Sequence, residues 1–176
     1  MRILIVYATT DGQTEKIARF CTDHLTAAGH SVQMTPATRA TDIDPAAFDA
    51  AILAGSLHAG GFQRPLLRFA RTHAAALSRL PGLFLPVSLS AAGHDARDWA
   101  GLASCTDRFL AETGWQPSRI SHVAGAFRFS RYGLLRAFAM RRIARQKDSG
   151  LFPGQDREYT DWPALAAALD AFAPAA

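Results

Sequence analysis

Met1-Arg2-Ile3-Leu4-Ile5-Val6-Tyr7-Ala8-Thr9-Thr10-Asp11-Gly12-Gln13-Thr14-Glu15 decides the fold: a short apolar strand runs into hydroxyl, Asp and Gly residues and then directly into a helix. The chemistry of such a junction is phosphate capture. A tight turn leaves backbone N–H groups unpaired, the helix adds its positive end, and Thr9, Thr10 and Thr14 bring hydroxyl donors. Lys and Arg are absent from the loop. A nucleotide-triphosphate loop needs Gly-x-x-x-x-Gly-Lys-Ser/Thr and a dinucleotide loop needs Gly-x-Gly-x-x-Gly; neither occurs here, which argues against ATP and NAD. A phosphate held by neutral donors points to flavin mononucleotide (FMN).

Outward from that stretch, apolar runs at Ile3–Tyr7, Ser31–Met34, Ala50–Ala54, Leu83–Leu89 and Ser121–Phe127 read as strands. Helical patterns near 14–28, 65–79, 98–112 and 161–173 separate or follow them. Pro65, Gly29, Gly114 and the run Asp161-Trp162-Pro163 supply start and stop signals. Strands alternating with helices predict a doubly wound parallel sheet of order 2-1-3-4-5, with ligand outside the carboxyl ends of the strands. The stretch 37–49 fits no strong template, being a loop or a short helix. Three loops then converge: Thr9–Thr14, Gly55–Phe62 and Ser88–His94. Their small and hydroxylic residues let backbone approach a flat ring, although each taken singly reads equally well as a simple turn.

The chain of 176 residues and 19.0 kDa, 49% hydrophobic, is expected to be one domain, 1–176. A strand at the very start, with no leader pattern before it and no membrane-length apolar run, sets the expectation of a cytoplasmic protein. Cys21 and Cys105 each fall in a helical pattern without a Cys-x-x-Cys partner and read as buried structural thiols in a reducing compartment. Net charge is +4, but it is unevenly spread. Arg128, Arg131, Arg136, Arg141, Arg142, Arg145 and Lys147 lie within twenty residues that hold no acid. Removing those seven from the 19 basic residues leaves 12 against 15 acids. An otherwise mildly acidic chain carries one basic segment.

The loop Thr9-Thr10-Asp11-Gly12-Gln13-Thr14 resembles the phosphate loop of the flavodoxin superfamily. A likeness across nearly the whole chain is more specific. Thr10–Thr14, Gly55-Ser56-Leu57-His58, Ala124-Gly125-Ala126-Phe127-Arg128-Phe129-Ser130-Arg131-Tyr132 and Tyr159-Thr160-Asp161-Trp162 resemble the bacterial quinone-dependent protoporphyrinogen IX dehydrogenases of haem synthesis, a family of long-chain flavodoxin relatives. The resemblance implies a flavodoxin-like α/β fold whose fifth strand is interrupted by an insertion, 128–157, and resumes near Glu158–Thr160. It implies FMN phosphate on Thr9, Thr10, Asp11, Gly12, Gln13 and Thr14. The isoalloxazine then sits between Ser56, Leu57, His58, Ala59 and Gly60 on one side and Ser88, Leu89, Ser90, Ala91, Ala92 and Gly93 on the other. Electron-carrier flavodoxins usually sandwich the flavin between aromatic rings, whereas this chain offers mainly His58, Phe62 and His94 near those loops.

The same resemblance implies two-electron oxidation at flavin N5, with quinone as acceptor and three cycles per protoporphyrinogen IX. The alternative is an electron-transfer or regulatory module without porphyrinogen turnover. Carrier flavodoxins are strongly acidic, and the opposite sign here disfavours docking at their basic partners. Within the insertion, Tyr132, Leu134, Leu135, Phe138, Ala139 and Ile143 fall on one helical arc; Arg136 and Arg141 lie off it, and Arg142 and Arg145 spoil its end. Such a helix either lies at an anionic membrane surface or packs on the domain. Arg128, Arg131, Tyr132, Arg136, Phe138, Arg141 and Arg142 are therefore candidates for substrate or membrane contact, with Arg128 and Arg131 suited to pair with propionates. The expected location is the cytoplasmic face of the cell membrane, held peripherally. Aromatics alternate with arginines at Phe127–Phe129, but no nucleic-acid-binding motif accompanies them. Six histidines without paired ligand spacing give no support for a metal, and no nucleophile elbow is readable.

Overall fold

The computed structural model describes residues 1–127 and 156–175. Strand β1 (Arg2–Ala8) is apolar on both faces because it is an interior strand covered on both sides: Ile3, Leu4, Ile5 and Val6 are fully buried. It pairs in parallel with β2 (Ser31–Pro36) on one side and β3 (Ala50–Ser56) on the other. Next comes β4 (Gly82–Ser88), parallel to β3. The fifth position is filled in two pieces, β5 (Arg119–Ile120) and β6 (Val123–Ala124), both parallel to β4. The order is therefore 2-1-3-4-5, the doubly wound flavodoxin-like arrangement anticipated from the alternating pattern.

Alternate residues of β1 serve two cores. Ile3, Ile5 and Tyr7 meet Ile17, Ala18, Cys21 and Leu25 of α1 (Gln13–Ala27) together with Leu165, Leu169 and Phe172 of the last helix, α5 (Trp162–Phe172). Leu4, Val6 and Ala8 face the opposite layer, with Leu66, Phe69 and Ala70 of α2 (Arg64–Thr72) and Phe109 of α4 (Ala96–Thr113). Phe84 is the hub there: its ring stacks on Phe109 at 4.8 Å and meets Phe62 at 5.3 Å and Trp115 at 5.7 Å. Cys21 is fully enclosed, and burial pushes its thiol up to about 12.

The long helix expected over 65–79 is two: α2 ends at His73, which leaves helical geometry at φ −109°, and α3 (Ala74–Leu77) follows. The stretch 37–49 holds two single turns of 3₁₀ helix, the second starting at Pro45 with the Asp44 carboxylate accepting from Ala46 N at 3.0 Å. The chain returns from the inserted segment close to the anticipated point, but not into the parallel sheet. Arg157–Glu158 (β8) pairs antiparallel with Ala126–Phe127 (β7) in a separate ribbon. Glu158 thereby stands at the root of the insertion, with Thr160 immediately beyond. Arg128, Arg131, Tyr132, Arg136, Phe138, Arg141 and Arg142 lie outside the described residues.

Candidate flavin site

Beyond β1 the chain turns through Thr9–Gly12. Gly12 sits at φ 89°, a left-handed conformation that an L side chain adopts only at a cost, and it starts α1 without any capping side chain. Its own N–H donates to Thr9 Oγ1 at 2.9 Å, which closes the turn. The first turn of α1 therefore opens toward the loop with its positive end uncovered. Thr14 is fully buried in that turn, and its hydroxyl has no hydrogen-bond partner among the described residues. A buried hydroxyl without a partner costs about 1–3 kcal/mol, which marks Thr14 as a candidate donor to a bound ligand. Thr10 is turned elsewhere: its Oγ1 accepts from Gln63 Nε2 at 3.0 Å. Gln63 also donates to Ser56 Oγ, tying the phosphate loop to the end of β3.

After β3, residues His58 to Gly61 make a tight hairpin turn. His58 N donates to Gly61 O at 2.9 Å, and Gly61 N donates back to His58 O at 3.0 Å. The two central residues, Ala59 and Gly60, have φ of 46° and 78°, as a two-residue hairpin with mirror-image turn geometry requires. His58 Nε2 reaches back to Asp11 Oδ2 at 3.2 Å. That contact joins the two loops and sets an imidazole beside a carboxylate. From α4, Arg108 Nη2 donates to the Gly60 carbonyl, and the Cys105 thiol does so at 3.4 Å. Cys105 is thus not the buried structural thiol expected; it is half-buried, with its sulfur against the turn.

The third loop follows β4. Ser88 Oγ accepts from Ala91 N at 3.2 Å, and Trp99 Nε1 donates to Gly93 O at 2.8 Å, so α4 braces this loop as well. The Trp99 ring meets His122 edge-on at 5.6 Å. Burial lowers the pKa of His122, against a partial upward pull from Asp107. Behind the phosphate loop, Gln13 Nε2 donates to Thr160 Oγ1 at 2.9 Å, and Thr160 donates to Ala124 O at 2.7 Å. Lys16 pairs with Glu158 at 2.7 Å, and Trp162 Nε1 donates to the same carboxylate at 2.9 Å. Burial pulls the Glu158 carboxyl up, but hydrogen bonds from Lys16, Trp162 and Gln13 and the Lys16 charge outweigh it, leaving the group below its ordinary value of 4.5.

The three loops enclose a cavity of about 290 Å³ lined by Thr9, Asp11, Gln13, Thr14, Ser56, Leu57, His58, Ala59, Gly60, Ser88, Leu89 and Ser90, joined by Val87, Gly125 and Ala126. Thr10, Gly12, Ala91, Ala92 and Gly93 lie outside its lining. Phe62 is also not at the cavity, because the Phe84 and Phe109 rings hold it in the core. His94 is exposed. Val87, Gly125 and Ala126 escaped sequence reasoning because they are small or aliphatic residues at strand ends, although the Gly125-Ala126 pair after a strand was a readable signal. Among the described residues, Asp11 and His58 are the ionisable side chains of the lining. The cavity therefore fits a phosphate bound by neutral donors, with apolar and backbone walls for a flat heterocycle.

Residues 4–150 match the family model described as the flavodoxin domain. The chain is 27% identical over 166 residues to the protoporphyrinogen IX dehydrogenase [quinone] of Escherichia coli strain K12, covering 94% of this chain and 91% of that protein. It is also 27% identical to the protein of that name from Leishmania major, covering 93% of this chain and 71% of the relative. Among solved structures, a flavodoxin from Pseudomonas aeruginosa superposes with a TM-score of 0.54 at 20% identity, covering 83% of this chain and 96% of that one.

Proposed function

The chain belongs to the flavodoxin-domain family, and from that premise we propose that it oxidises protoporphyrinogen IX to protoporphyrin IX with a quinone as electron acceptor. FMN is its cofactor, and when bound supplies the two-electron redox chemistry. The observation that carries the reading is coverage. The relatives bearing that activity in their names match more than nine-tenths of this chain, insertion included, and not the phosphate loop alone.

The work left to the protein is binding, orientation and electrostatics. The open end of α1, the Thr14 hydroxyl and the Thr9 turn hold the phosphate through neutral donors. The His58–Asp11 contact keeps the phosphate loop and the ring-side turn at a fixed separation. On this reading the isoalloxazine lies along Ser56–Gly60 and Ser88–Ser90, where small residues allow close approach. Arg128 and Arg131, which follow the cavity wall at Ala126 by two and five residues, pair with substrate propionates. The insertion 128–157 meets anionic lipid and reaches a membrane-dissolved quinone, a reading supported by the seven basic residues and no acid of its stretch 128–147 in an otherwise acidic chain. Among the described residues no helix is long and apolar enough to cross a membrane.

The test is an anaerobic assay of FMN-loaded protein with protoporphyrinogen IX and a menaquinone or ubiquinone analogue, followed by porphyrin fluorescence against a flavin-free control. Quinone-dependent growth of fluorescence is the expected result. Flavin binding without porphyrin formation would sink the substrate assignment and leave an electron-transfer flavoprotein. Arg128→Ala and Arg131→Ala are expected to raise KM for porphyrinogen with FMN affinity unchanged.

A further inference from the structure

We propose that Arg108, although outside the cavity, is a positioning residue for the flavin ring: from α4 it fixes the His58–Gly61 turn so that the Ala59–Gly60 peptide is the one presented to the ligand. The inference rests on reading the cavity as the FMN site.

The Gly60–Gly61 peptide is held at both ends. Its N–H donates to His58 O at 3.0 Å, and its carbonyl accepts from Arg108 Nη2 and, at 3.4 Å, from Cys105 Sγ. A peptide unit is planar, so fixing both ends fixes its plane. The preceding peptide is in the opposite situation. Among the described residues, the Ala59 carbonyl and the Gly60 N–H have no hydrogen-bond partner, and both residues line the cavity. Among the described residues, the turn therefore leaves one donor and one acceptor for a ligand while the adjoining peptide is clamped from outside.

The clamp is needed because the turn is not a relaxed one. Ala59 at φ 46° holds a left-handed conformation that an L side chain adopts only under strain, and residues so placed persist only when their surroundings over-determine them. The hairpin bonds, the His58–Asp11 contact and the Cys105 thiol supply part of that constraint, and Arg108 adds to it. The base of the arm is rigid, since the next residue, Phe109, is buried and stacked on Phe84 at 4.8 Å. A side chain 48 residues away in sequence thus sets the geometry of the ring-side wall from the aromatic core.

The experiment measures dissociation constants of FMN and of riboflavin, which lacks the phosphate, together with the midpoint potential of bound FMN and the melting temperature of the flavin-free protein. The variants are Arg108→Ala, Arg108→Lys and Cys105→Ala. Arg108→Ala is expected to weaken FMN and riboflavin by the same factor, about fivefold, the loss typical of one net hydrogen bond. It should also move the potential, because the peptide facing the ring is no longer held. Arg108→Lys, which keeps a donor, should restore most of both; Cys105→Ala, losing only a weak donor, should change affinity less than about twofold. Unchanged affinity and potential in Arg108→Ala would overturn the proposal, as would a loss confined to FMN or one matched by a fall in melting temperature with the potential unmoved. Failure of the unsubstituted protein to bind either flavin would instead sink the reading of the cavity itself.

Discussion

The loop at Thr9–Thr14 and the turn at His58–Gly61 line the same cavity, yet they are made in opposite ways. The phosphate loop is local. Its strand, its turn, its left-handed Gly12 and its helix are consecutive in the chain, and the groups it offers a ligand are backbone N–H and hydroxyl. The ring-side turn is held from a distance, by Asp11 through His58 and by Arg108 and Cys105 through the Gly60 carbonyl. A site for a charged group can be encoded in fifteen residues because a helix start is already an anion site. A wall for a flat neutral ring has no comparable local code, and its geometry is borrowed from neighbouring elements.

The contrast is broken most directly at Thr14. Thr14→Val keeps the shape and removes the hydroxyl, so the two states of the protein should respond with opposite sign. FMN affinity should fall about thirtyfold, or about 2 kcal/mol, as expected for one hydrogen bond to a charged group. Riboflavin affinity should hardly change. The flavin-free protein should melt about 2–4 °C higher, because a buried hydroxyl without a partner is gone. A variant that binds FMN normally would show that Thr14 is not at the phosphate. Next in size is Gly12→Ala, which forces a Cβ into a backbone at φ 89° and should destabilise the fold by about 1–2 kcal/mol, read by urea denaturation. If the loop is as local as argued, this cost should be the same with and without Arg108.

The same division explains what the sequence made legible. The order of strands and the two-faced burial of β1 followed from apolar runs separated by helical patterns, because a strand covered on both sides must be apolar throughout. The turn from β1 into α1 was legible for the same local reason, and Thr9, Asp11, Gln13 and Thr14 of it line the cavity while Thr10 and Gly12 do not. The fifth strand was less so: it is split into pairs of residues around His122, and its apparent continuation into Phe127 belongs to a different ribbon. Neither piece is long enough to show a period. Phe62 looked available to stack on a flavin because it sits in the right loop, but only packing reveals that Phe84 and Phe109 have claimed its ring. Arg108 and Trp99 were invisible as site residues, since nothing in the spacing of α4 indicates which loop carbonyls its side chains will meet.

The ring-side turn offers a complementary test. Ala59→Gly relieves the left-handed conformation at φ 46°, where glycine carries no steric penalty, while widening the unfolded ensemble. The two effects oppose, and the expected net is a gain of up to about 1 kcal/mol in stability, smaller than and opposite in sign to Gly12→Ala. With the strain gone, the turn depends less on its clamp, so the effect of Arg108→Ala on flavin affinity should shrink in the Ala59→Gly background. Strict additivity of the two substitutions would mean that the arginine and the strained residue do not act on one element.

The smallest effect concerns the tie between the phosphate helix and the root of the insertion, where Lys16 and Trp162 converge on Glu158. Its hydrogen bonds hold the Glu158 carboxyl below its ordinary 4.5, so the folded protein binds a proton there less readily than the unfolded chain. The contribution is therefore fully present above the unfolded value and is lost as pH falls through the lower, folded one. Because the pair is largely exposed, it is worth no more than about 0.2–1 kcal/mol, and salt should reduce it. Glu158→Gln should lower the melting temperature slightly at pH 7, and the gap to the unsubstituted protein should close as the pH is taken below 4.5. A gap that persists undiminished in acid would assign the loss to packing of the carboxamide against Trp162 and not to the charge. A gap that closes in acid, with FMN affinity falling as well in Glu158→Gln, would show that the ribbon at the base of the insertion and the phosphate loop, joined by Gln13 and Thr160, respond as one unit.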